Sequence, residues 1–173
     1  MMGFKVRFAK IKLLAGLMAG ALCLPFSAVA HAGGDVLHLR WLDPARVVVA
    51  EVQLDTDQLE ALAQKKIDTT TPWTEGVQAF SGPTLSALAG LSGRAPTEAL
   101  VIALNDYLIN IPASDWQRWE PILATRHNGA RMPVREKGPF WVIYPMDKDQ
   151  VLITQLYRSR MVWQVNKIDF LVP

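Results

Sequence analysis

The chain has 173 residues, with 18 Lys and Arg against 16 Asp and Glu, for a formal net charge of +2. Four of those cations, Lys5, Arg7, Lys10 and Lys12, fall in the first 32 residues, so the remainder carries 14 cations against 16 carboxylates, a net of −2. The basic character belongs to the N-terminus, and with no long basic run after it nucleic-acid binding has no footing.

Residues 1–32 read as a Sec export signal. The cations form its n-region, the apolar run Leu13 to Leu24 its core and Pro25 a breaker, and Ala30-His31-Ala32 offers the small–x–small pattern of a cleavage site. The reading predicts a periplasmic protein starting near Gly33, a chain of 141 residues and one domain. Two alternatives are weaker. A retained anchor would need about 20 apolar residues, and lipid attachment at Cys23 would want a small residue where Leu22 stands. Cys23 is the only cysteine. Its removal leaves no disulfide, no thiolate metal ligand and no cysteine nucleophile.

Val36 to Trp41 alternates apolar and polar, as a half-buried strand does. Asp43-Pro44 marks a turn, and Val47 to Leu54 a second strand. Asp55 followed by Gln58 is a capping-box pattern that opens a short helix ending near Gln64. Ile67 to Thr71 is β-branched and stops at Pro72. Phe80-Ser81-Gly82-Pro83 predicts a turn opening a helix, with Leu85, Leu88 and Leu91 on its buried face. Ala99 to Leu104 and Tyr107 to Ile111 flank a hairpin turn at Asn105-Asp106. One helical turn is expected over Ser114 to Trp119, a strand over Pro121 to Thr125, a tight turn at His127-Asn128-Gly129, and a buried strand over Phe140 to Tyr144. Asp147 to Leu156 reads as either helix or extended chain, and Met161 to Ile168 alternates as a last strand. Many short strands with a few short helices define an α+β, β-dominated class.

Four segments, in order, resemble the oxidoreductase molybdopterin-binding domain, the fold of the sulfite oxidase family. Phe80 to Leu88 is similar to that family's strand, Gly-x-x-Leu turn and helix. Ile122-Leu123-Ala124, with Asn128-Gly129 and Met132-Pro133, resembles its LA-x-x-x-NG-x-x-(L/M)P hairpin. Lys137 to Pro145 resembles its G-x-P-(L/F)-x-(L/V)-(V/I)-x-P strand, and Val162 to Ile168 its closing strand. The resemblance spans about residues 36–170 and implies a sulfite-oxidase-like fold. Catalytic members bind molybdenum through a cysteine ahead of the Gly-x-x-Leu helix. The comparable stretch here, Lys66 to Trp73, offers hydroxyls and an indole but no sulfur, and hydroxyl oxygen does not replace a soft thiolate. The chain thus resembles a cysteine-free periplasmic branch, whose members often occur beside signalling proteins. That implies a sensing or accessory role, with a membrane signalling protein as partner and no cofactor. The alternatives are an oxidoreductase that holds molybdopterin, with substrate or solvent completing the metal shell, and a structural module with a vestigial pocket.

Two groups of residues are candidates for a ligand site. Arg126, Arg131 and Arg135, with Lys137, lie within twelve residues, and guanidinium groups fork onto phosphate or sulfonate oxygens. A small anionic ligand suits them; the alternative is a solvated surface with Glu136 as internal partner. Thr69, Thr70, Thr71 and Trp73 form the second group, a pocket floor of hydroxyls with an aromatic wall, against an ordinary strand end with Trp73 in the core. Asn105 and Tyr107 join the site because the resemblance places a comparable loop near the cofactor. No catalytic residue is expected, and His38 and His127 are not spaced as a metal pair with any carboxylate cluster.

Overall fold

Strand alternation and turn chemistry set the first hairpin. In this computed structural model, which describes residues 35–173, β1 (Val36–Leu42) pairs antiparallel with β2 (Val48–Asp55). The segment expected to be an export signal, with Cys23, lies outside the described residues. At the turn, Asp43 Oδ1 accepts from the Val47 N–H at 2.9 Å and Arg46 takes φ +65°. The predicted capping box is present: Asp55 Oδ1 accepts from the Gln58 N–H at 2.8 Å, and Gln58 Oε1 from the Asp55 N–H at 2.9 Å. The helix it opens, α1 (Thr56–Ala61), stops at Leu62, because Gln64 already begins β3 (Gln64–Thr69).

The turn expected at Phe80–Pro83 is instead strand, β4 (Gln78–Pro83). Gly82 allows it, since a Cβ there would stand 2.0 Å from the Leu123 carbonyl oxygen. Pro83 ends the strand, and Thr84 rather than the proline opens α2 (Leu85–Gly90), its hydroxyl accepting from the Ala87 N–H at 3.0 Å. Leu85 and Leu88 are buried as expected. Leu91 is exposed because it lies past the last helical residue.

β5 (Glu98–Ala103) and β6 (Leu108–Pro112) form the second hairpin, with Asp106 at φ +63° in its turn. After α3 (Ala113–Arg118) comes β7 (Ile122–Ala124). β8 (Arg126–His127) and β9 (Ala130–Arg131) follow, joined by Asn128 and Gly129 at φ +49° and +81°. Positive φ at both centres is what Asn-Gly supplies. β10 (Trp141–Ile143) is buried throughout. The ambiguous stretch resolves into two 3-10 turns, Met146–Lys148 and Gln150–Ile153, and then α4 (Gln155–Arg160). The last strand, β11 (Val165–Leu171), starts later than the alternation suggests, because Met161 caps α4 and Gln164 turns the chain at φ +54°.

A five-stranded sheet runs β2-β1-β11-β5-β6, parallel between β1 and β11 and antiparallel elsewhere. A four-stranded sheet runs β3-β4-β8-β9, and β7 pairs with β10. The bridge Thr84↔Ile122 and the bond from the Thr125 N–H to the Ser81 carbonyl, 2.9 Å, join β4 to the β7 segment. One hydrophobic core includes Leu37 and Leu39 of β1, Val101 of β5, Ile168 and Phe170 of β11, and Leu85 and Leu88 of α2. Trp41 stacks on Phe170 with centroids 5.5 Å apart, and its buried indole N–H donates to the Ala89 carbonyl at 2.9 Å. The architecture is α+β and rich in strand.

Candidate functional site

The short β8–β9 register sets Arg126 opposite Arg131, and both reach α1. Arg126 Nε and Nη2 donate to Glu60 Oε1 and Oε2 at 2.9 and 3.0 Å, and Nη1 donates to the Gly129 carbonyl at 2.8 Å. Arg131 Nη2 donates to Glu60 Oε2 at 2.9 Å and also to Asp57. Two guanidinium groups on one carboxylate, Arg126 foremost, hold Glu60 down at about 2. The same bonds, to Glu60 and then Asp57, raise the Arg131 pKa. Arg135 sits in the 3-10 turn Val134–Glu136, 84% exposed, its Nε 3.3 Å from Glu136. The first two arginines expected to face an anion are thus engaged in clamping a helix to a hairpin.

The loop after β3 is built by its own hydroxyls. Thr70 donates through its N–H and Oγ1 to Asp147 Oδ2 and Oδ1 at 2.7 and 2.5 Å, which holds the Asp147 carboxyl below its ordinary range. Thr71 Oγ1 accepts from the Trp73 N–H at 3.2 Å and lies 2.8 Å from Thr74 Oγ1. The hydroxyls expected to greet a guest fix the loop instead. What the loop presents is Trp73. Thr70 and Thr71 still line a small cavity of about 200 Å³ with Met146, Ile153 and Arg158.

A larger cavity of about 430 Å³ opens beside it, between this loop, the β5–β6 turn and the segment from α4 into β11. Trp73, Asn105 and Tyr107 all line it, three of the residues singled out in the sequence. Arg126, Arg131 and Arg135 line neither cavity. Trp73 meets Trp163 edge to face, with centroids 5.1 Å apart and planes at 80°. Buried Trp141 backs both rings at 6.0 and 6.4 Å, and its indole N–H donates to the Met161 carbonyl at 3.0 Å, which fixes the wall. The Tyr107 hydroxyl donates to the Ser159 carbonyl at 3.2 Å and ties the β5–β6 turn to α4.

Arg158 is the residue that sequence reasoning missed. It lines both cavities. Its Nε is buried without a partner, and among the described residues no hydrogen bond or ion pair engages its guanidinium. No carboxylate among the described residues lines the larger cavity. Arg160, two positions on, differs. Its Nη1 donates to buried Asp115 at 2.8 Å, beside the Tyr144 hydroxyl at 2.7 Å from the same oxygen. Burial, and then Asp115, push the Tyr144 pKa up. A signal for Arg158 was present: Gln155, three positions before it on α4, Thr154 at the N-cap and Met161 at the C-cap include no acid. Using it required knowing that the segment is helical.

His127 stacks on Phe80 at 4.7 Å, with Nε2 2.9 Å from Gln78 Oε1; burial, and then the Lys137 charge, lower its pKa. Among the described residues no group of three or more His, Cys, Asp or Glu is placed to hold a metal ion. No protein-family model matches the chain, and no curated protein matches it.

Proposed function

We propose that this chain is an exported, periplasmic protein that binds a small, anionic ligand in a sensing or accessory role. In this reading its fold is of the sulfite-oxidase-like molybdopterin-binding kind, working without molybdenum catalysis. The observation that carries the reading is the 430 Å³ cavity walled by Trp73, Trp163 and Tyr107 and bordered by a guanidinium with no partner. That volume is within the range of about 300–1,000 Å³ usual for ligand pockets.

The cavity's side chains favour binding over chemistry. Indoles, a phenol, two amides, a hydroxyl and a guanidinium stack and donate hydrogen bonds, whereas general acid–base work needs a group titrating near the operating pH. The fold reading draws support from where the family-like motifs fall. Gly82 lies against the Leu123 carbonyl, Asn128-Gly129 forms the two-residue turn, and Phe140 to Tyr144 is wholly buried. A molybdenum centre fits the chain poorly. No cysteine follows Cys23, the Thr70 and Thr71 hydroxyls of the comparable loop are already bonded to Asp147 and Thr74, and oxygen ligands do not stand in for thiolate.

Purification from the native periplasm tests the reading. The mature chain should begin near Gly33 by intact mass, and elemental analysis should find molybdenum far below one per chain. A thermal-shift screen of periplasmic anions, aromatic metabolites and pterins should find at least one stabilising ligand. If no compound raises the melting temperature, the cavity is vestigial, and pull-down for a membrane signalling partner becomes the decisive experiment. Stoichiometric molybdenum with sulfite or sulfoxide turnover would establish the oxidoreductase instead.

A further inference from the structure

Resting on the ligand-binding reading above, we infer that the larger cavity selects an aromatic monoanion, a one- or two-ring compound bearing one carboxylate, with Arg158 as its counter-ion. Charge comes first. A partly buried guanidinium without an acceptor is an unfavourable arrangement, and removing the partner of a buried charge is strongly destabilising. Arg158 shows this at one atom: the residue is half-buried, its Nε is sealed from solvent without an acceptor, it has no ion pair among the described residues, and no carboxylate stands in the cavity wall. A planar carboxylate matches its fork in two parallel bonds.

The remaining walls limit what the anion is attached to. Trp73, Trp163 and Tyr107 present aromatic surface, and the edge-to-face geometry of the two indoles leaves ring area for a flat guest. A cavity of about 150 Å³ takes one benzene, so about 430 Å³ takes one or two rings and a carboxylate. An aromatic cage could in principle take an organic cation. Here Lys137 Nζ already lies 5.8 Å from the Trp163 ring and Arg158 borders the same space, so a second cation meets repulsion. A dianion or diphosphate would want more than one cation on the wall itself; among the described residues Arg158 is the one Lys or Arg that lines the cavity, and Arg160 is held by Asp115.

The test is calorimetric titration of the protein purified from the periplasm with indole-3-carboxylate and 2-naphthoate. Their neutral carboxamides, tryptamine, cyclohexanecarboxylate and inorganic sulfate serve as comparisons. The aromatic carboxylates should bind about tenfold to a hundredfold more tightly than their carboxamides, the gain of a charge-assisted bond. Arg158→Gln should erase that difference while leaving carboxamide affinity unchanged. Arg158→Lys should keep part of it, and gives an independent result if the Gln variant does not fold. Arg94→Gln, on the exposed surface away from the cavity, should change nothing. Carboxamides or tryptamine binding as tightly as the carboxylates, or an Arg158→Gln variant that binds like wild type, would overturn the inference and leave the ligand-binding reading standing. Cyclohexanecarboxylate or sulfate binding as tightly as the aromatic acids would do the same. Binding by none of these probes also overturns it. The broader reading is then decided separately by the open screen, where a stabilising ligand of other chemistry keeps it and the lack of any sinks it.

Discussion

Replacing Glu60 by Gln isolates the clamp between α1 and the β8–β9 hairpin. Glu60 accepts three bonds from two guanidinium groups at 2.9 to 3.0 Å, and its pKa falls from 4.5 to about 2. Taken whole, a shift of that size corresponds to about 3 kcal/mol. Arg131 is 48% exposed and Arg126 38%, so solvent screening reduces the contribution to about 1–2 kcal/mol. The sign follows from linkage. A carboxyl whose pKa is depressed by folding stabilises the native state above its unfolded value, here about 4.5, and that stability drains away as the pH falls through about 2. Urea denaturation should therefore show wild type more stable than Glu60→Gln by about 1–2 kcal/mol near pH 7, with the gap closing at low pH. Equal stability near neutrality, or a gap undiminished at about pH 2, refutes the clamp. Should the clamp fail, Arg126 and Arg131 return as candidates for an anion.

Other consequences follow from the same geometry. Asp115→Ala strands Arg160 and the Tyr144 hydroxyl in a site where the ion pair is 13% and 6% exposed, and should cost about 3–5 kcal/mol in urea; a loss below about 1 kcal/mol would show the pair to be dispensable. Gly82→Ala puts a methyl on the Leu123 carbonyl and should destabilise by about 3 kcal/mol, the upper end for overpacking, whereas Gly90→Ala, at the end of α2 where a Cβ meets nothing within 4 Å, should be neutral or stabilise by up to about 0.5 kcal/mol; equal effects would refute the close approach. Thr70→Val removes the hydroxyl that donates to Asp147. Its carboxyl, read by NMR titration, should then move back up toward the ordinary range, and an unchanged titration would refute that bond as the main cause.

Local chemistry made most of the elements legible. The capping box at Asp55, the Asn128-Gly129 turn and the alternation of Val36 to Trp41 each specify a backbone conformation through residues adjacent in sequence, and each appears where expected. The strand over Phe80 to Pro83 was not legible for a physical reason. Gly and Pro together carry a turn signal, but Gly82 is there because β7 lies against it, a contact some forty residues away. The late start of β11 has a similar origin: the alternation of Met161 to Ile168 reports burial on both sides of a backbone turn at Gln164.

The site divides along the same line. Trp73, Asn105 and Tyr107 converge on one cavity; Trp73 was marked as an aromatic wall beside the loop threonines, and Asn105 and Tyr107 by the loop that the family resemblance places near a cofactor. Charge misled, because a cluster of arginines along the chain reveals nothing about which acids face it. Asp57 and Glu60 stand on α1, about seventy residues from Arg131, and neutralise it. Arg158 looked ordinary for the converse reason, as no local feature shows that buried Asp115 is taken by its neighbour Arg160 while Arg158 is left without an acceptor. In a chain whose residues 33–173 are close to charge balance, with 14 Lys and Arg against 16 Asp and Glu, the informative cation is the one left over after pairing. Pairing is settled by topology, which sets Arg160 of α4 against Asp115 of α3 and leaves Arg158 on the cavity wall. Which cation is free to meet an anion therefore follows from subtraction across the whole fold, and the density of positive charge along the sequence is a poor guide to it.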